Sequence, residues 1–271
     1  MKPKFFLLAM LVFTLGSIAG RGQGGAGDGR CGPIPLTGWN RDVVFENARF
    51  PAAASFDSFG ERRQSGTPVR AWFEAGLEGH VDGLPSSRRF TSAATTNVLF
   101  ELQPHTTNNV LFLSMSKTTG TLVLTSPTAY RSLFILAAAA GGNGRGTLQL
   151  GFREGAITRS SKPIAFQVPD WWVSYPASYP GAGLTKAPAI TGLGRSIGAF
   201  KYEDRGKNTS DAGFALYQAE VDLAKLDLHE KPIQSLAITM DVPGSVTMGI
   251  FAVSGAPSEP RSSSLSDTER R

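Results

Sequence analysis

The segment Gly194-Arg195-Ser196-Ile197-Gly198 matches the G-x-S-x-G pattern that presents a hydrolase nucleophile. Asp204, Asp211, Asp222, Asp227 and His229 follow it in the order of a catalytic triad. That chemistry needs the serine on a sharp turn between a strand and a helix, inside an α/β sheet. The next residues, Ala199-Phe200-Lys201-Tyr202-Glu203-Asp204, carry no helical periodicity, and no strand–helix–strand unit precedes them. The segment therefore reads as a turn in a glycine-rich chain, and no catalytic residue is assigned. Gly142-Asn143-Gly144-Arg145-Gly146 has the glycines of a phosphate loop but neither the Lys-Ser/Thr nor the helix that would follow. It reads as a hairpin turn between Leu136 and Leu148.

Metal chemistry is sparsely provided for. The three histidines, His80, His105 and His229, form no H-E-x-x-H motif and no pair at ligand spacing. His80 and Asp82, two residues apart, would share one face of a strand. Asp57, Asp170, Asp204 and Asp211 are hard oxygen donors of the kind a structural calcium ion takes, and their spacing does not choose among them. No other cofactor is expected.

Aromatic residues give the best constellation for binding. Trp172, Tyr175 and Tyr179 lie in a segment stiffened by Pro176 and Pro180. A flat sugar face stacks on an aromatic ring while nearby polar groups orient its hydroxyls. Proline limits the entropy such a loop loses on binding. A second group is Trp39-Asn40-Arg41-Asp42, and a third is Trp72 with Glu74. Trp39 and Trp72 suit core packing equally well. Trp171 and Trp172 are neighbours on an extended segment, so one is expected to face inward and the other outward. The candidate ligand-binding residues are thus Trp172, Tyr175, Tyr179, Trp39 and Asn40.

The elements that must position these residues read as strands. Leu148, Leu150 and Phe152 alternate with Gln149, Gly151 and Arg153, and Tyr217, Ala219, Val221 and Leu223 alternate with Gln218, Glu220 and Asp222. Leu236, Ile238 and Met240 repeat the pattern, as do Val246, Met248, Ile250 and Ala252. Period-two alternation is what a half-buried strand requires, because successive side chains point to opposite faces. The runs Val98-Leu99-Phe100, Val110-Leu111-Phe112-Leu113 and Leu133-Phe134-Ile135-Leu136 are apolar on both faces and predict central strands buried between two layers. Turn signals such as Asn108-Asn109, Thr119-Gly120, Ser126-Pro127 and Pro243-Gly244 separate them. Residues 224–229 make the best helical pattern and are too short for an amphipathic helix. Many short strands with regular turns predict an all-β fold, an antiparallel β-sandwich of jelly-roll type in a single domain. Residues 171–199 and 201–213 stand out as long connections, where function tends to lie.

At the N-terminus Lys2 and Lys4 precede an apolar run over residues 5–13, with Ser17 and Ala19 in small-x-small spacing. This is the pattern of a secretory signal peptide over residues 1–19, and the apolar run is too short to span a bilayer. Residues 20–32 read as a flexible, glycine-rich leader, 33–256 as the sandwich domain, and 257–271 as a disordered tail rich in Ser, Pro and charge. The tail lacks the apolar segment of a sorting anchor. About 250 residues after cleavage suffice for one large β domain. Cys31 is the only cysteine, so no internal disulfide forms. The formal net charge is +5, but the arginines are scattered, without a basic stripe interleaved with aromatics. Nucleic acid is not an expected partner, and neither is stable membrane insertion after signal cleavage. The expected location is secreted, extracellular or periplasmic.

A set of short segments carries a wider resemblance: Gly38-Trp39-Asn40-Arg41-Asp42-Val43-Val44, Phe56-Asp57-Ser58-Phe59, Gly83-Leu84-Pro85, Phe90-Thr91-Ser92-Ala93, Phe100-Glu101-Leu102-Gln103-Pro104 and Asn108-Asn109-Val110-Leu111. Gly120-Thr121-Leu122, Val168-Pro169-Asp170-Trp171, Gly192-Leu193-Gly194-Arg195 and Ile250-Phe251-Ala252-Val253-Ser254-Gly255 extend it over nearly the whole mature chain. In these segments the chain resembles secreted bacterial β-sandwich domains similar to galactose-binding-like and carbohydrate-binding modules. The resemblance implies an extracellular, non-catalytic module that recognises carbohydrate or a cell-surface component. It also makes Gly192-Leu193-Gly194-Arg195 a structural turn. A structural or adhesive envelope protein without a small ligand is the alternative, and a polysaccharide hydrolase or lyase a third reading.

Overall fold

The computed structural model describes residues 30–46, 54–57, 70–172, 184–197, 202–203, 213–241 and 244–258. In chain order the strands are β1 (Gly32–Pro33), β2 (Leu36–Thr37), β3 (Val44–Phe45), β4 (Arg70–Phe73), β5 (Arg89–Thr91), β6 (Leu99–Glu101) and β7 (Leu111–Leu113). The long strands follow: β8 (Thr119–Thr128), β9 (Tyr130–Ala140), β10 (Gly144–Glu154), β11 (Ile157–Ser160), β12 (Ile164–Val168) and β13 (Leu184–Leu193). Then come β14 (Arg195–Ile197), β15 (Tyr202–Glu203), β16 (Phe214–Asp222), β17 (Ile233–Met240) and β18 (Thr247–Pro257). A single 3-10 turn, Leu77–Gly79, is the only helical piece among the described residues. None of the described helices is long and apolar enough to cross a membrane.

Two six-stranded sheets form the body. The first runs β1-β18-β9-β16-β13, with β7 also on β18; the second runs β11-β10-β17-β8-β2, with β12 also on β10. All their strand pairs are antiparallel. The expected all-β, antiparallel, sandwich-like fold is what the chain adopts.

Alternation decides what each sheet buries. Leu148, Leu150 and Phe152 of β10 and Leu236, Ile238 and Met240 of β17 meet Leu133, Ile135, Ala137 and Ala139 of β9 in one core. The other face of the second sheet is open: β8 buries Leu122 and Leu124 while Thr121, Val123 and Thr125 are exposed. The first sheet differs. Phe134, Leu136, Ala138 and Ala140, the other half of β9, are also buried, in a second core. That core is capped by Val43, Val44, Phe56, Trp72, Leu84, Val98, Phe100 and Trp171. These come largely from the short strands β3–β6 and the connections around them, which lay a third layer on the outer face of the first sheet. Two of the three doubly apolar runs, 110–113 and 133–136, are strands β7 and β9 of this middle sheet, as a layer buried on both faces requires. The third, 98–100, expected as a central strand, instead forms β6 of the outer layer, paired with β5 and with Leu99 half-exposed.

One alternation breaks. Met248 and Ile250 face the sandwich core, but Ala252 belongs to the outer core, because the pairing with β9 shifts between Ile250 and Ala252. Phe251 is the extra residue of this bulge and turns into the outer core. Two residues earlier, Gly249 lets the outer layer approach: a Cβ there would lie 2.6 Å from Phe56 Cε2 and 2.8 Å from Val110 Cγ2.

Candidate functional site

After β12 the chain runs along the end of the first sheet. Ala139 N–H donates to Pro169 O (2.9 Å), Trp171 N–H to Ala139 O (2.6 Å), and Ala215 N–H to Trp171 O (2.8 Å). Residues 169–171 are thus tied to both β9 and β16. Asp170 anchors them further, and is itself buried. Its Oδ2 accepts from Gly142 N–H at 2.7 Å and its Oδ1 from Trp172 N–H at 2.8 Å. Its own N–H donates to Asn143 Oδ1 at 2.7 Å. The glycine-rich turn between β9 and β10 therefore braces the Trp171–Trp172 segment. It is not the hairpin expected from the sequence, because it carries the chain from the first sheet to the second and the two strands do not pair. Burial raises the Asp170 carboxyl, opposed by these amide donors and by the Arg195 charge.

This anchoring sorts the two tryptophans as alternation predicts. Trp171 is buried at 2% exposure; Trp172 is 40% exposed. Trp171 packs 5.0 Å from both Trp72 and Phe214 and 5.1 Å from Phe56, centroid to centroid. The exposed Trp172 ring rests 6.0 Å from Phe214. Arg195 lies beneath this group, only 6% exposed, with its guanidinium carbon 4.8 Å from the Phe214 centroid, 5.5 Å from Trp172 and 5.6 Å from Trp171. A guanidinium between aromatic faces is held by the ring quadrupoles, and the nearby Asp170 charge favours it. The outcome is one solvent-facing indole on a rigid base of buried rings and opposite charges. Rigid aromatic surfaces of this kind suit stacking recognition, since little rotamer freedom is lost on contact.

Tyr175 and Tyr179 fall outside the described residues, as do Asp204 and Asp211. Trp39 and Asn40 are not brought beside Trp172. Trp39 packs against the sandwich core and donates its indole N–H to Leu36 O at 3.0 Å. Asn40 takes the place of a strand residue on β7: its Nδ2 donates to Phe112 O (3.0 Å) and its Oδ1 accepts from Phe112 N–H (2.8 Å). Both ends of that amide are committed to the fold. Trp72 is fully buried. Ser196 sits within β14, paired to Ala71 and Tyr202, rather than on a strand-to-helix turn. Asp57 is buried and bound by Ser55 (3.4 Å) and Arg70 (3.3 Å). Among the described residues no group of three His, Cys, Asp or Glu side chains could hold a metal ion.

A second cluster escaped the sequence reading. β3 and β4 pair in parallel, Val44 beside Trp72 and Phe45 beside Phe73, which sets Glu46 and Glu74 at the same end of the two strands. Burial raises the Glu46 carboxyl, with the Asp42 and Glu74 charges adding to the effect, and burial raises Asp42 and Glu74 too. His105, 5% exposed, turns its Nδ1 to 3.9 Å from Glu74 Oε2, while its buried Nε2 has no hydrogen-bond partner. Burial, with the Arg88 charge near, lowers His105 to about 4. Nothing in the sequence shows that residues 46 and 74 are neighbours, because the contact closes over a long intervening connection.

Two surface grooves are distinct from both clusters. One, about 310 Å³, opens between β12 and β16; the other, about 380 Å³, lies between the β1–β2 segment and the β5–β6 hairpin. Trp172 lines neither of these two grooves. No family model, no curated protein and no solved structure matches the chain.

Proposed function

We propose that the chain is a secreted, non-catalytic binding module that recognises carbohydrate or another cell-surface component, of bacterial origin, with Trp172 as the centre of its contact surface. The observation that carries this reading is the 40% exposed Trp172 ring fixed over buried Arg195, Phe214 and Asp170. A large indole left in solvent on a braced base is worth more to recognition than to folding. Tyr175 and Tyr179 follow a few residues on in the sequence as further stacking candidates, and the N-terminal Lys-apolar-small pattern supports export. In affinity electrophoresis against a panel of insoluble and soluble polysaccharides, the secreted chain is expected to be retarded by a subset. Trp172→Ala should lose about tenfold or more of that affinity, the scale of a truncated interface anchor, with an unchanged unfolding midpoint. Equal retardation of wild type and Trp172→Ala would remove the site from the account.

A second reading, a polysaccharide hydrolase, is favoured by Glu46 and Glu74, two carboxyls raised at one strand end. Glycoside hydrolysis uses two carboxyl groups facing one site, one held protonated as the acid and the other ionised as base or nucleophile. Reducing-sugar release from any polymer, lost in Glu46→Gln and in Glu74→Gln, would establish it. The binding-module reading predicts no release from any of the polymers.

A further inference from the structure

The groove between the β1–β2 segment and the β5–β6 hairpin is lined by Pro33, Pro35, Arg88, Arg89, Glu101 and Gln103, among others. Two guanidinium groups converge there on one carboxylate. Arg89 Nε and Nη2 both donate to Glu101 Oε2, at 2.9 and 2.7 Å, and Arg88 Nη2 lies 3.9 Å from Glu101 Oε1. One carboxylate against two guanidiniums leaves the groove one positive charge in excess. Each guanidinium carries five N–H donors in a fixed fork, so Glu101 engages only part of what the pair offers.

Arg88 is also held in an unfavourable backbone conformation. Its φ is +61°, one of two such non-glycine values among the described residues. The left-handed region is unfavourable for an L-residue with a long side chain, and glycine would close the same turn without that cost. The turn is otherwise well made: Arg88 N–H donates to Pro85 O at 2.9 Å, and Leu102 N–H donates to Arg88 O at 2.8 Å. Strain of this kind is retained where a side chain must be aimed. A cross-strand Arg89–Glu101 pair alone, a weak interaction at the surface, gives no reason for the second arginine.

We propose that this groove is a binding site for an oxyanion, the carboxylate or sulfate group of an acidic polysaccharide, held by Arg88 and Arg89 with Glu101 as the internal competitor that orients them. A carboxylate, or two oxygens of a sulfate group, matches the guanidinium fork two donors at a time. The formal net charge, +5 for the full chain and still positive once Lys2 and Lys4 leave with the signal peptide, draws an acidic polymer toward the protein. The groove shares no residue with the Trp172 surface, and the proposal does not rest on that surface.

The test is isothermal titration of the full secreted chain with polygalacturonate, chondroitin sulfate and neutral dextran, with inorganic sulfate as competitor. Binding of one or both acidic polymers, absent for dextran and displaced by sulfate, is expected; the two polymers separate a carboxylate from a sulfate preference. Arg88→Gly should weaken it about tenfold, as loss of a charge-assisted contact does, while the unfolding midpoint holds or rises because glycine accepts the positive φ. Glu101→Gln should tighten binding by removing the competitor, an effect that a merely structural ion pair would not produce. Lys162→Ala, which deletes an exposed charge away from the groove, should leave affinity unchanged. Equal binding of dextran, wild-type affinity in Arg88→Gly, weaker binding in Glu101→Gln, or an equal loss in Lys162→Ala would each overturn the proposal.

Discussion

His105 shows how a single side chain couples this fold to pH. Its imidazole binds a proton at about 4 in the folded protein and at about 6.5 when unfolded. Between those values the unfolded chain holds the extra proton, so stability falls as pH drops through 6.5 toward 4 and is fully present above 6.5. His105→Leu removes this dependence. Relative to that variant the wild type should lose up to about 3 kcal/mol across the window, at about 1.4 kcal/mol per pH unit. Denaturant unfolding at several pH values checks it, and parallel curves for the two proteins would contradict the assignment. At this scale the sequence was legible where geometry is local. Neighbouring Trp171 and Trp172 had to face opposite ways, and they do. It was not legible where a side chain acts across the chain: nothing in Trp39-Asn40-Arg41-Asp42 tells that the Asn40 amide occupies a backbone slot on β7, or that His105 is buried against Glu74.

Element by element, period-two patterns carried the long strands. β10 and β17 bury the residues their alternation names. β16 does so too but also buries Gln218, which alternation places on an open face, because this strand lies in the covered middle sheet, and β9 and β7 are apolar on both faces for the same reason. The pattern failed at β18, where a bulge inserts Phe251 and sends Ala252 to the opposite face from Ile250. A bulge changes side-chain phase without changing composition, so alternation cannot foresee it. The covered middle sheet has a direct consequence. Ala138→Asp and Ala139→Asp, on opposite faces of β9, should both prevent stable folding, since each buries an unpaired charge. Val123→Lys, on the open face of β8, should stay within about 0.5 kcal/mol of wild type. Soluble yield and thermal unfolding read the outcome; a tolerated Ala138→Asp would mean that the outer layer does not close over the first sheet.

For the whole molecule, strand count, turn spacing and the absence of helical pattern were enough to give a two-sheet antiparallel body. The third layer was not foreseen. Its strands, β3 to β6, are two to four residues long, too short for periodicity to place them; the apolar run at β6 is legible as a strand, but its pattern points to the wrong layer. Their contacts are made by single large residues such as Phe56, Trp72 and Phe100. This layer gives the middle sheet its second buried face and supplies the rings beneath Trp171, which in turn fix Trp172 at the surface. Function follows from that construction in the proposed reading: a rigid frame presenting one indole, with a separate basic groove across the molecule's shorter strands. The most direct measurement is tryptophan fluorescence of the purified protein during polysaccharide titration, with acrylamide as quencher. Trp72 and Trp171 are buried and Trp39 is partly so, which leaves Trp172 the most quenchable of the four tryptophans. The account predicts that a bound polysaccharide shields this fluorescence from acrylamide and that Trp172→Phe abolishes the protection. Quenching unaltered by every polymer, or protection that persists in Trp172→Phe, would contradict it.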